Sequence, residues 1–228
     1  MNTHYQKVGL FGGTFDPIHN GHLRAALHIE EKLTLDHIYF VPAYLSPYKT
    51  HESASFEKGA PHHRCEMVKR AIANLPRFSV SECELNKKEV SYTIDTLRHY
   101  RGLLSPDAGL YFILGTDAFL GIAQWKQVAD IFATAHLVVV SRPGYQFQPL
   151  SQILKNDKLV KEFDALSENK EYRHFTGQHI YFFELPTMDI SSSELREKIS
   201  HHEPYSSFVP KEVEEYIRAH HLYENKNI

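Results

Sequence analysis

Val8-Gly9-Leu10-Phe11-Gly12-Gly13-Thr14-Phe15-Asp16-Pro17-Ile18-His19-Asn20-Gly21-His22 is a short apolar run, a paired-glycine bend and the start of a helical pattern near Gly21. A strand that turns through glycines into a helix presents backbone N–H groups and a positive dipole end to whatever binds there. Glycine lets the main chain approach an anion closely, because no Cβ intervenes. His19 and His22, three residues apart, fall on one helix face over its first turn. The stretch therefore predicts a phosphate-holding turn at the end of a strand.

Working outward, apolar runs at 8–11, 37–41, 77–81, 111–114, 136–141 and 180–184 alternate with helical patterns at 21–32, 61–74, 93–100 and 124–133. Short apolar runs separated by helices of that length predict βαβ units and a buried parallel sheet. The run His136-Leu137-Val138-Val139-Val140 lacks polar alternation, as a strand covered on both faces should. The expected fold is α/β: a doubly wound, Rossmann-like parallel sheet with helices on both faces, and ligands at the carboxyl ends of its strands. Residues 44–59 read as a long loop of lid-like length. Residues 145–177 read as a polar excursion from the sheet, not a separate domain, with one short helix over 159–166. Ser191-Ser192-Ser193-Glu194 signals a helix start, and Pro210 suits the first position of a last helix. One domain over 1–228 is expected, with a small helical part from about 190 to 228 packed on it.

Composition narrows the function classes. A chain of 228 residues, 42% hydrophobic and 12% aromatic, can bury its own core. Its formal net charge of -3 is a poor footprint for a nucleic-acid binder. Cys65 and Cys83 are too few for a disulfide framework and suit a reducing compartment. No apolar run approaches the ~20 residues of a membrane span, and the first residues lack a signal-peptide pattern. A cytoplasmic protein without membrane or nucleic-acid partners is expected; a homo-oligomer stays open.

The candidate site has two halves. His19 and His22 can hydrogen-bond phosphate oxygens and steady charge that develops during phosphoryl transfer. A metal held by the histidine pair is disfavoured, because Asp16 is the sole further ligand type at suitable spacing, so no protein metal site is expected. Ser191, Ser192 and Ser193 at a helix start, with Arg196 one turn in, would make a second anion cradle. Lys49 could close over a phosphate or be a solvated loop lysine. Trp125 could stack on a flat ligand or anchor the helix at 124–133. Asp117, after Gly115-Thr116, could accept from ribose hydroxyls or serve as an N-cap. The pairs His62-His63, His201-His202 and His220-His221 read as exposed polar positions. With no nucleophile-and-base arrangement, in-line displacement at phosphorus fits better than a covalent intermediate.

Gly12-Gly13-Thr14-Phe15-Asp16-Pro17-x-His19-x-Gly21-His22 and Ile190-Ser191-Ser192-Ser193-x-Leu195-Arg196 together resemble the paired signature of the nucleotidyltransferase superfamily. Within it the chain resembles the bacterial nicotinate mononucleotide adenylyltransferases. Ser91-Tyr92-Thr93, Gly115-Thr116-Asp117, Trp125 and Ala135 to Val139, leading to Arg142-Pro143-Gly144-Tyr145, appear in that family's order. The resemblance implies transfer of an adenylyl group from ATP, with Mg²⁺, to nicotinate mononucleotide, giving deamido-NAD and pyrophosphate. It implies that Gly12, Gly13, Thr14, Phe15, Lys49, Gly115, Asp117 and Ile190 to Ser193 contact ATP, with His19, His22 and Arg196 carrying the chemistry. Trp125 would stack on the pyridine ring, and backbone amides at Thr93 and Lys126 would read its carboxylate. The family often has Pro-Pro-His-Lys or Pro-Pro-His-Arg in the first long loop, whereas Ser46-Pro47-Tyr48-Lys49 stands here; Ser193 replaces a common threonine. Alternatives are a preference for the amide mononucleotide and a nucleotide-binding regulator without turnover. A phosphopantetheine enzyme is discounted, since such chains are shorter and lack the Ser-Tyr-Thr and Trp125 segments.

Overall fold

The quoted apolar run forms β1 (Lys7–Gly13), with Val8, Leu10 and Phe11 buried, and the chain then turns into α1 (Asn20–Leu33). The computed structural model describes residues 5–47, 60–141, 147–167, 170–185 and 190–225. After α1 come β2 (His37–Pro42), α2 (Pro61–Ile72), β3 (Phe78–Val80), α3 (Cys83–Lys87), α4 (Thr93–Leu103) and β4 (Gly109–Gly115). They are followed by α5 (Thr116–Phe119), α6 (Val128–Thr134), β5 (His136–Val140), α7 (Leu150–Leu154) and α8 (Asp157–Val160). The remaining elements are β6 (Phe163–Ser167), β7 (Glu171–His174), β8 (His179–Phe183), α9 (Ser192–Ser200) and α10 (Lys211–Ala219).

Among the described residues the strands form one sheet in the order β3-β2-β1-β4-β5-β8-β7-β6. β1 pairs with β4, β4 with β5 and β5 with β8 in parallel, while β7 runs antiparallel to both β8 and β6. The run 3-2-1-4-5 is that of a doubly wound nucleotide-binding sheet, and its order reverses between β1 and β4. Ligands of such sheets bind at the carboxyl ends of the strands flanking that reversal. Gly12 and Gly115 stand at those ends. In β5, Leu137 to Val140 are all 4% exposed or less, which accounts for the unbroken apolar run.

The six expected strands and the helices at 21–32, 61–74 and 93–100 are present with shifted ends. Three expectations need correction. Residues 159–166 are not one helix: α8 ends at Val160, and β6 pairs with β7. Asp164 to Ser167 are exposed, so a helix there would have no covered stripe, and the ladder to β7 satisfies the backbone instead. The sheet is thus mostly, not wholly, parallel, and 145–177 is not an excursion from it, because β6 and β7 extend its edge beyond β8. The helix expected over 124–133 is a 3-10 turn at Ile122–Gln124 followed by α6, interrupted by Gln127 at φ 52°. Trp125 lies in that interruption. Pro210 is the residue before α10, because its ψ of 148° keeps it outside the helix.

Contacts group the chain into two compact units. One comprises Met1–Gly12, Ile29–Ile38 and Tyr92–Thr187; the other comprises Gly13–His28, Tyr39–Ser91 and Met188–Ile228. Among the described residues, no helix is long and apolar enough to cross a membrane.

Candidate active site

In the unit containing Gly13, the turn after β1 is built around aromatic rings. A Cβ added to Gly13 would lie 2.8 Å from the Phe15 ring, and Phe15 itself is buried at a left-handed φ of 51°. A side chain there would have to displace the buried Phe15 ring. Asp16, Pro17, Ile18 and His19 follow as a buried stretch, and the His19 carbonyl accepts the His22 and Leu23 N–H groups at 2.9 and 3.4 Å. His19 therefore immediately precedes α1, and His22 sits in its first turn.

The two imidazoles are 4% and 7% exposed, with ring centroids 3.8 Å apart. His22 Nδ1 accepts the His19 N–H at 3.3 Å, and the edge of the Phe15 ring packs against His22 with centroids 5.1 Å apart. An accepting Nδ1 puts the proton of the neutral ring on Nε2, making that nitrogen a donor.

The serine segment comes to the same place. Ser191 caps α9: its hydroxyl accepts the Glu194 N–H at 3.2 Å, and the Glu194 carboxylate accepts the Ser191 N–H at 2.6 Å. This reciprocal capping box orients the first turn, from which the Ser192 hydroxyl donates to the Pro17 carbonyl at 3.0 Å. Arg196, one turn on, donates to the Asp16 carbonyl at 2.6 Å and to the Ser193 hydroxyl at 3.1 Å. Two segments some 175 residues apart in sequence are thus hydrogen-bonded side by side. Ile190, 8% exposed, anchors the approach to α9.

Sequence reasoning missed two residues here. Arg64 of α2 is 4% exposed and donates to the Thr14 and Ala43 carbonyls at 2.6 Å each and to the Tyr44 carbonyl at 3.2 Å. Burial draws its pKa below the ordinary value, while the Asp16 charge pulls the other way. The signal was its place on the buried stripe of α2, with Met67 and Val68 one turn on. Tyr223 donates to Asp16 Oδ1 at 2.7 Å, with no motif to announce it. His63, expected to be exposed, is half-buried, with Nδ1 2.9 Å from the Tyr216 hydroxyl. Lys49, Tyr48 and the 142–145 segment lie outside the described residues.

In the other unit, a Cβ on Gly12 would meet the Phe112 ring at 2.8 Å, and Trp125 packs edge-on to that ring with centroids 6.3 Å apart. Trp125 is half-buried. Lys126 Nζ pairs with Asp95 at 3.1 Å and stands 4.5 Å over the Tyr92 ring. Its side chain is therefore drawn to α4, whose first residue is Thr93. Gly115 is the N-cap of α5, so the N-cap role considered for Asp117 is not realised; Asp117 follows Thr116 in the first turn and is exposed.

Comparison with known proteins gives the family and the fold. A family described as cytidylyltransferase-like matches residues 10–198. A probable nicotinate-nucleotide adenylyltransferase of Trichlorobacter lovleyi is 40% identical, over 96% of this chain and 99% of its own. One from Pelobacter propionicus is 38% identical, over 95% of this chain and 98% of its own. The solved structure of Plasmodium falciparum nicotinic acid mononucleotide adenylyltransferase complexed with NaAD shares the fold, with a TM-score of 0.67 at 20% identity over 96% of this chain and 97% of that one. By sequence along nearly its whole length, the chain belongs to the nicotinate-nucleotide adenylyltransferase family of nucleotidyltransferases.

Proposed function

We propose that this chain joins ATP to nicotinate mononucleotide, releasing pyrophosphate and forming nicotinate adenine dinucleotide for NAD biosynthesis. The observation that carries the reading is the pair of hydrogen bonds from Ser192 and Arg196 to the Pro17 and Asp16 carbonyls, which gathers imidazoles, hydroxyls and a guanidinium in one unit. A phosphate oxygen of the mononucleotide attacks the α-phosphorus of ATP in line, and the bond to the bridging α–β oxygen breaks. Charge leaves with the pyrophosphate.

Each residue has a part in that step. The Nε2–H of His22 donates to a phosphate oxygen, with His19 beside it, and Arg196 and Ser192 meet the triphosphate from α9. Such groups act by position and fixed charge. Gly12, Gly13, Thr14 and Phe15 line the turn, while Ile190, Ser191 and Ser193 set the start of α9. Gly115 lies against ATP, Asp117 takes the adenylate ribose, and Lys49 contributes a charge. Trp125 stacks on the pyridine ring. The N–H of Thr93, at the first position of α4, has no acceptor within its own helix and suits a carboxylate. Lys126 contributes its backbone N–H, consistent with its side chain being engaged by Asp95.

Mg²⁺ is the cofactor proposed. Asp16 is the carboxylate beside both motifs, and its oxygens face protein donors, Tyr223 at 2.7 Å and Arg196 at 3.9 Å. That donor set fits an ion carried on the triphosphate oxygens rather than one anchored by protein carboxylates; when bound it supplies neutralising charge. The thiols Cys65 and Cys83, both free, fit a reducing cytoplasm. Pyrophosphate release measured with nicotinate and nicotinamide mononucleotides, with and without Mg²⁺, tests the reading. Faster, Mg²⁺-dependent turnover of the acid is expected; equal rates would overturn the substrate assignment.

A further inference from the structure

The residue after Leu222 returns to the beginning of the chain. Tyr223 lies beyond α10 at a φ of 66°, and its hydroxyl donates to Asp16 Oδ1 at 2.7 Å, across 207 positions of sequence. Asp16 is 8% exposed, and two guanidinium groups share its charge. Arg196 Nη1 stands 3.9 Å from Oδ2 and 2.6 Å from the Asp16 carbonyl, and Arg64 interacts with the same carboxylate through space. The carboxylate is thus the common anion among two arginines and a phenol.

Rotation of an aspartate carboxylate about its last torsion is broad and poorly fixed by sterics. An O–H donated to one oxygen restrains it, and here Oδ2 lies on the Arg196 side. A guanidinium presents its donors in a rigid fork, so its aim follows the groups that hold it. We propose that Tyr223 is a positioning residue for the phosphate site: its hydroxyl orients the Asp16 carboxylate, and through it the Arg196 guanidinium. Burial, then the Asp16 charge and their hydrogen bond, push the Tyr223 hydroxyl well above the usual phenol range, so it stays a donor at working pH. The inference rests on the nucleotidyl-transfer reading, in which Arg196 meets the triphosphate.

The test is Tyr223→Phe, which keeps the ring and removes one hydroxyl. MgATP affinity is measured by titration calorimetry on the wild-type and variant chains, and turnover is followed alongside. Loss of a hydrogen bond to a charged acceptor, felt one group away, should weaken MgATP binding by about tenfold and raise the KM for ATP similarly. The KM for the mononucleotide should stay unchanged. A variant that merely folds less completely loses active sites and kcat without moving either affinity; that result overturns the proposal. In an Arg196→Lys background, which lacks the planar fork, Tyr223→Phe should add little, and full additivity of the two losses would also overturn it. Wild-type chain that binds MgATP but does not turn over would refute the transfer reading instead, leaving the binding comparison to judge Tyr223.

Discussion

The imidazole of His22 receives the His19 N–H on Nδ1 at 3.3 Å, and that one contact makes Nε2 the donor. The spacing of the two histidines was plain in the sequence, but which nitrogen donates came from the turn that places the His19 amide against the ring. Replacing His22 with alanine should lower kcat by ~10²–10³, the usual cost of removing one donor from developing charge. Circular dichroism should show the fold retained; near-wild-type turnover would refute the role given to His22. Gly12 and Gly13 carry a different lesson. Their need for a missing Cβ was legible, yet the rings of Phe112 and Phe15 fill that space. Ring packing against backbone is set by three-dimensional neighbours, which a motif does not name.

Helix α9 is short, and its start is held by the reciprocal bonds of Ser191 and Glu194. Capping of this kind is a local pattern, which is why the serine run and the following glutamate announced it correctly. Ser191→Ala should lower unfolding free energy by about 1 kcal/mol, and Ser191→Gly by a few tenths, as urea denaturation would measure. No measurable loss for Ser191→Ala would mean the hydroxyl is not the cap. Strand β6 is not legible in the sequence, because 159–166 carries a helical spacing of apolar residues. Pairing across the ladder decided the matter, since Asp164 to Ser167 bury no stripe of their own. The break at Gln127 is not legible either, since a left-handed φ at a non-glycine residue leaves no compositional mark.

Stability of the whole molecule should depend on a histidine far from the chemistry in sequence. His136 opens β5, stacks on Tyr111 with ring centroids 4.6 Å apart, and accepts the His179 N–H on Nδ1 at 3.0 Å. Burial, with the His179 and Lys7 charges adding to it, lowers its pKa from 6.5 to about 4. The fold therefore favours the neutral ring, while the unfolded chain takes up the proton from about pH 6.5 downward. Its contribution is complete above pH 6.5 and is lost as pH falls toward 4, a loss on the order of 2–3 kcal/mol. Urea unfolding at a series of pH values should show a smaller decline between pH 7 and 4.5 for His136→Phe than for wild type. Identical declines would place the titrating groups elsewhere. At this scale the sequence implies strand order only as a class, a doubly wound sheet; the 3-2-1-4-5 run and its antiparallel extension are properties of the assembled sheet.

What the amino-acid sequence determined by itself is everything carried by neighbours along the chain: the apolar strand and glycine bend, the histidine spacing, the capped serine helix and the family they mark. These rest on torsional preference, periodicity and hydrogen bonds spanning a few residues. Tertiary structure alone decided that Arg64 ties the Thr14 carbonyl to the end of β2 and that Tyr223 reaches Asp16. Both are contacts between groups distant in sequence, formed because buried polar atoms must find partners wherever the folded chain brings them.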